Sequence, residues 1–340
     1  MFARKELLLP LLFLVLAALA LASLLIGRYE IPPLEVVKIL LSGFTENARP
    51  STDNPWVVVQ ILRLPRILLV ILSGMGLAVA GASLQGVFRN PLVGPEILGV
   101  SAAASFGGVL AMSLGSSSAA CLIPSAFLSG CASLFIIFLL SGLARQRSAI
   151  GLVLAGVIVS GLFGSLTGVI TYTADPESQL PNIVYWLMGS FASASYRNAA
   201  FSALVSAVVL PVLLAMSWRI NILALGDSDA AALGLNVRLI RWTVLILVSL
   251  LVATQVAVSG GVGWVGLVIP HLARMLVGPD HVKLLPAAGL LGAIYLLIMD
   301  DLARTLMETE IPIGLLTALV GTPFFAVFYV KLQGRGWSGD

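Results

Sequence analysis

Residues 66–86 read RILLVILSGMGLAVAGASLQG, an apolar run opened by one arginine and holding no other charge. About 20 such residues, rising 1.5 Å each as a helix, cross a hydrocarbon layer roughly 30 Å thick. Gly74, Ala78, Ala82 and Gly86 recur at every fourth position and so form one stripe. Small residues at that spacing let helix backbones approach closely in lipid, where no hydrophobic drive favours association. The same stripe could line a pore, and the sequence leaves both readings open.

Nine further apolar runs bounded by charge or Gly/Pro punctuation accompany this one, at roughly 7–26, 97–114, 119–141, 149–170, 198–217, 240–258, 261–277, 284–303 and 312–331. The spans at 97–114 and 261–277 are short and glycine-interrupted, so nine or eleven spans also remain open. The expected fold is all-α and polytopic, one transmembrane domain over 1–340. Composition agrees: 59% of 340 residues are hydrophobic, 10% are charged, and mean hydropathy is +1.04. A soluble domain carries about a quarter charged residues. The net charge of +3 sits in the gaps between runs rather than in one block, as in membrane loops, which argues against nucleic acid.

The first run follows Arg4 and Lys5 and could imitate a signal peptide. At about 20 residues it exceeds a signal core, and a retained first helix is expected. Cys121 and Cys131 stand ten residues apart in one run. On a helix that is roughly 15 Å, too far for a disulfide, and both read as small apolar fillers.

Ten spans put both termini on one side, and Lys/Arg bias selects which. With the termini inside, twelve basic residues fall on cytoplasmic segments and seven outside. Cytoplasmic termini are therefore expected.

Several chemistries are missing. There is no Gly-x-x-x-x-Gly-Lys-Ser/Thr loop, so the chain does not hydrolyse ATP by a P-loop itself. His271 and His281 share one loop without cysteine, giving no metal set. Span centres lack the ionisable residues an ion-coupled secondary transporter keeps there, and no convergent catalytic set suggests a membrane enzyme. The chain therefore reads as no enzyme, with its energy source on another polypeptide.

A family resemblance joins these observations. Arg63-Leu-Pro-Arg66 opens the second span, which closes on Gly81-Ala-Ser-Leu-Gln-Gly86 and runs into Arg89-Asn-Pro-Leu-Val-Gly-Pro-Glu96-Ile-Leu-Gly-Val-Ser101. Later come Gly261-Val-Gly-Trp-Val-Gly-Leu-Val-Ile-Pro-His271-Leu-Ala-Arg274, Asp300-Asp301-Leu-Ala-Arg304, Glu310-Ile-Pro-Ile-Gly314 and Gly321-Thr-Pro-Phe-Phe325. In this order, from about 63 to 331, the set closely resembles the FecCD family of permeases for ferric siderophores, haem and cobalamin.

The resemblance implies a ten-helix subunit acting as a homodimer, with two ATPase subunits inside, which hold the ATP and magnesium, and a periplasmic binding protein outside. No cofactor belongs to this chain, and the substrate would be a metal chelate moved by alternating access. Arg63, Arg66 and Arg304 match the outer arginines that receive acidic residues of the binding protein, although arginines at span ends also anchor helices in headgroups. Asp227, Ala230, Leu233, Gly234 and Leu235 match the short coupling helix seated in the ATPase. Asn90 and Leu92, with Ser148 and Ala149, match the cytoplasmic gate; only Ser148 is polar where some relatives carry hydroxyl residues. The stripe Gly156, Ser160, Gly164 and Gly168 falls on the fifth span, which would line the pathway.

Overall fold

The computed structural model describes residues 7–42, 55–116, 118–143 and 149–333, and among these it is built of helices with no strand. Fourteen α-helices follow one another: α1 (Leu8–Leu25), α2 (Pro33–Ser42), α3 (Leu64–Phe88), α4 (Val100–Ser113), α5 (Ala119–Leu143), α6 (Ala149–Thr173), α7 (Leu180–Leu187), α8 (Tyr196–Ala215), α9 (Ser217–Leu225), α10 (Asp227–Ala232), α11 (Val237–Ser259), α12 (Val265–Val277), α13 (His281–Thr305) and α14 (Ile313–Gln333). Seven of them, α1, α3, α5, α6, α8, α11 and α13, are long and apolar enough to cross a membrane. The shorter apolar helices α4, α12 and α14 complete the ten expected spans.

One boundary differs from expectation. The helix expected over 66–86 runs from Val57 to Phe88, 32 residues, or about 48 Å, so it overshoots the hydrocarbon layer. Its first segment, Val57–Arg63, is a π-helix. Pro65 follows in the first turn of α3 and has no N–H to offer the Ile61 carbonyl. A widened turn just upstream accommodates that lost bond.

α3 packs on α13, α12, α8 and α11 at once. Of its apolar window 78% is buried, against 22% for α1 and α5, so α3 is the axis and those two are peripheral. The stripe explains how neighbours come so close. A Cβ on Gly74 would strike the Gly292 carbonyl of α13, and one on Gly292 would strike Gly74 in return. Gly81 lies on the Gly266 carbonyl of α12, and Gly86 lies against the His281 ring. Ala78 and Ala82 are fully buried. The stripe on the second span is packing surface, and no pore runs along it.

Polar bonds then tie the end of α3 near Phe88. The Arg274 guanidinium donates to Gln85 Oε1 at 3.1 Å. Asn221 Oδ1 accepts from the His281 backbone N–H at 2.8 Å and lies 2.8 Å from His281 Nδ1, while its amide donates to Asp280 at 2.6 Å. These bonds join α3 to α12 and α9 to α13. Partial burial raises the Asp280 carboxyl, but the Asn221 amide, the Val282 N–H and the nearby Lys283 and His281 outweigh it and hold it below the usual carboxylate range.

Leu92-Val-Gly-Pro-Glu96 and Leu276-Val-Gly-Pro-Asp280 are alike in sequence but adopt different turns. Gly94 is extended (φ −116°) and Pro95 opens a 3₁₀ turn, Pro95–Leu98. Gly278 is left-handed (φ +92°), and Asp280 rather than Pro279 adjoins the helix, capping α13 at the Val282 N–H. Turn chemistry, not duplication, accounts for the likeness.

Gly81→Ala should therefore lower the thermal stability of the purified chain by about 2 kcal/mol or more, since the added methyl meets a backbone carbonyl. Gly168→Ala, where a Cβ meets nothing within 4 Å, should be neutral or slightly stabilising through helix propensity. Equal unfolding temperatures for the two variants would remove α3 from its role as the packing axis.

Candidate functional site

The three arginines singled out in the sequence converge at one end of the bundle. Arg66 donates Nε and Nη2 to Asp300 at 2.9–3.1 Å and Nη1 to Glu310 at 2.9 and 3.0 Å. Arg304 pairs with Asp301, approaches Asp300 at 3.7 Å, and donates to the Ser23 backbone carbonyl at 2.9 Å. Ser23 in turn donates to Asp301 at 2.6 Å. Arg63 donates to the Leu24 and Tyr29 carbonyls at 2.6 Å each, and Gly27 leaves room for its guanidinium. All three side chains are largely buried, so they are first of all struts joining α1, α3 and α13.

They nevertheless border one open cavity of about 340 Å³, together with Arg28, Tyr29 and Glu310. Its lining carries four arginines and the Glu310 carboxylate; Asp300 and Asp301, which pair with Arg66 and Arg304, bring the cluster to three carboxylates and leave one positive charge. The sequence reading found the arginines but not their counter-charges. The signal was there in Asp300-Asp301-x-x-Arg304, acids three and four residues before an arginine inside an otherwise apolar span.

At the opposite end stands α10. Its six residues are fixed by Gly226 before it and by a left-handed Gly234 (φ +81°) after it. The Gly234 and Leu235 N–H groups return to the Ala231 and Ala230 carbonyls at 2.9 and 3.0 Å, which closes the helix end. Ala230 is buried, Leu235 packs on the core, and Leu233 is 61% exposed. Asp227 binds Arg241 of α11 at 2.7 Å. The result is a short, rigidly held helix presenting one apolar side chain outward.

The 89–92 segment lies beside it. Arg89 takes a left-handed conformation (φ +52°) and its guanidinium reaches the neighbourhood of Gly226. Asn90 Oδ1 accepts from the Leu92 N–H at 2.9 Å, a local turn that stiffens two exposed residues. Ser148 lies outside the described residues, and Ala149 is described only as the first residue of α6. The two halves of the expected gate are thus not brought together among the described residues.

The stripe on α6 divides. Gly156 is sealed against the Ile97 carbonyl and Ser160 is half-buried, while a Cβ on Gly164 or Gly168 would meet only open space. Gly161 and Ser165 share that open face. The 95–98 turn carries the surface onward. Pro95 packs under Gly266, Glu96 reaches Gly94 and Gly263, and the Trp264 ring covers Gly321 of α14 and meets Phe325 edge-on at 6.3 Å. Trp264 is the second non-glycine residue at positive φ, +70°. Glu96 and Trp264 were missed as site residues because each looks like ordinary turn punctuation until the fold sets them between α6 and α14.

The buried arginine cluster sets a stability expectation. Asp300→Asn should destabilise by about 3 kcal/mol or more by leaving two buried guanidiniums short of charge. Glu310→Gln, whose side chain is 29% exposed, should cost about 1 kcal/mol or less. Thermal unfolding in detergent measures both, and a costless Asp300→Asn would dissolve the strut assignment.

Known proteins similar to this chain match it over nearly its whole length. The FecCD transport family matches residues 14–331. The chain is 45% identical to the molybdate import system permease protein MolB of Haemophilus influenzae, over 95% of each chain. It is 40% identical to the hemin transport system permease protein HmuU of Yersinia pestis, over 81% of this chain and 84% of that one. A solved structure described as an inward-facing conformation of a metal-chelate type ABC transporter superposes with a TM-score of 0.85 at 43% identity, covering 95% of this chain and 99% of that one. The chain belongs to the FecCD transport family, the membrane-embedded permease subunits of ABC importers.

Proposed function

We propose that two copies of this chain form the translocation core of an importer for a metal chelate, a ferric siderophore, haem or a cobalamin, driven by separate ATPase subunits and fed by a periplasmic binding protein. The carrying observation is the bare, uncharged face of α6 joined through Glu96 and Trp264 to α14. Among its helical neighbours α14 packs closely only on α13 and α12, so a second copy would close the face into a pathway. Gly164 and Gly168 then line it, with Asn90, Leu92, Ser148 and Ala149 at its inner mouth. The Lys/Arg bias supports a bacterial cytoplasmic membrane with both termini inside.

A second reading, molybdate as cargo, is favoured by the 45% identity to MolB. Neither α6 nor the first four turns of α14 carries a cation to hold an oxyanion. An unspecific pathway of this kind suits either cargo, with selection left to the binding protein. ATP-dependent uptake into vesicles holding the assembled transporter, across ferric siderophore, haem, cobalamin and molybdate, decides between them. Accumulation driven by an ion gradient without the ATPase would overturn the importer reading.

Two variants test the partner faces. Leu233→Glu alters an exposed side chain and should abolish co-purification of the ATPase while leaving the bundle intact. It is a cleaner probe than any change at Gly234, where positive φ strains every L residue by about 1–2 kcal/mol. A Leu233→Glu chain that retains its ATPase and couples normally would make α10 an ordinary loop helix. At the other end Arg28→Glu should slow association of the binding protein severalfold, less so in high salt. Arg28 is exposed, whereas reversing Arg63, Arg66 and Arg304 would bury uncompensated acids. An unchanged association rate would confine the arginines to their structural role.

A further inference from the structure

A cavity of about 280 Å³ opens beside α10, where the ends of α5, α6 and α11 meet. Its walls are apolar at Phe138, Leu152 and Trp242, with the Phe138 and Trp242 rings edge to face at 5.2 Å. Its polar groups are Ser141, Asp227, Arg238 and Arg241. Arg241 is 95% buried, spends one N–H on Asp227, and its Nε has no hydrogen-bond partner among the described residues. A buried guanidinium with idle donors asks for an acceptor. The first turn of α11, capped by Asn236 at the Leu239 N–H, adds the positive end of a helix dipole.

Two arginines against Asp227 leave one positive charge, which a phosphodiester monoanion would neutralise. The surroundings choose the source. Leu139, Leu143 and Leu239, each next in sequence to a lining residue, are 48%, 84% and 63% exposed and offer apolar surface on which acyl chains can lie. A cavity of this volume takes a headgroup and not a whole lipid. We infer that this cavity binds the phosphate of an anionic phospholipid, bridging α5, α10 and α11 on the side that carries α10. The binding part of this inference stands apart from the transport reading; only an effect of lipid on ATPase coupling would rest on it.

The test uses the full chain in detergent and native mass spectrometry, with phosphatidylglycerol and phosphatidylcholine of identical acyl chains as probes. The wild type should retain phosphatidylglycerol at least about fivefold better, the worth of roughly one arginine near an anionic headgroup. Arg238→Gln should erase most of that preference. Gly142→Leu should do the same with the charge unchanged, because a Cβ there meets nothing within 4 Å and a larger side chain projects into the cavity. Both positions are exposed, so folding should survive, and thermal unfolding checks it. Equal retention of the two lipids by the wild type, or a wild-type preference in either variant, overturns the site. Loss of the lipid to excess inorganic phosphate makes it a free-anion site and overturns the lipid assignment.

Discussion

The approach of α3 to its neighbours at the level of the backbone is the constraint from which the rest of the bundle follows. Lipid tails are as apolar as leucine, so burying apolar surface gives α3 no advantage over leaving it in the membrane. What favours assembly is close contact, and Gly74 on Gly292 and Gly81 on Gly266 bring main chains together where any side chain would hold them apart. Polar ties finish the work at both ends, the Arg66 cluster at one and the Gln85–Arg274 bond at the other. An axis held this way is rigid, and α6 and α14 are among the helices that do not pack closely on it.

That division places conflicting demands on the outer arginines. Buried ion pairs add little net stability, yet removing one partner is costly. Arg63, Arg66 and Arg304 must remain paired for the axis to stand, so an incoming acidic partner can use only the surplus charge and the open cavity beside Arg28. A docking partner would then read a preset cavity, with no need to break the cluster in order to bind.

The spans were legible because hydrocarbon thickness imposes length and apolarity together, and even the glycine-interrupted α4 and α12 were found. The start of α3 was not, because the π-helix before Pro65 depends on where the chain goes next and Val57–Arg63 carries no breaker of its own. The small-residue stripes show the limit of periodicity. Gly74–Gly86 and Gly156–Gly168 have the same spacing, yet the first is sealed along its length and the second only at Gly156. Spacing reports that something can come close; what comes close is settled by tertiary neighbours such as Ile97, which no local pattern announces. The partners of Arg66 were hidden for a related reason, since Asp300 and Glu310 lie more than 230 residues away, whereas those of Arg304 stand on its own helix.

Backbone strain offers an independent pointer to where the chain does its work. Only Arg89 and Trp264 among the described non-glycine residues hold positive φ, a conformation that costs a residue with a Cβ about 1–3 kcal/mol unless its surroundings enforce it. Neither lies in the packed axis. Arg89 turns the chain out of α3 toward Asn90 and reaches Gly226 at the base of α10, while Trp264 turns it into α12 beside Glu96 and covers Gly321 of α14. One strained residue thus links the 89–92 segment to the base of α10, and the other links the 95–98 turn to α14. If α10 is displaced by a partner, the Arg89 contact is the shortest route by which the Asn90–Leu92 turn can sense it, because both ends of that route are stiff. Both strained residues stand at helix ends, and the packed length of α3 carries none.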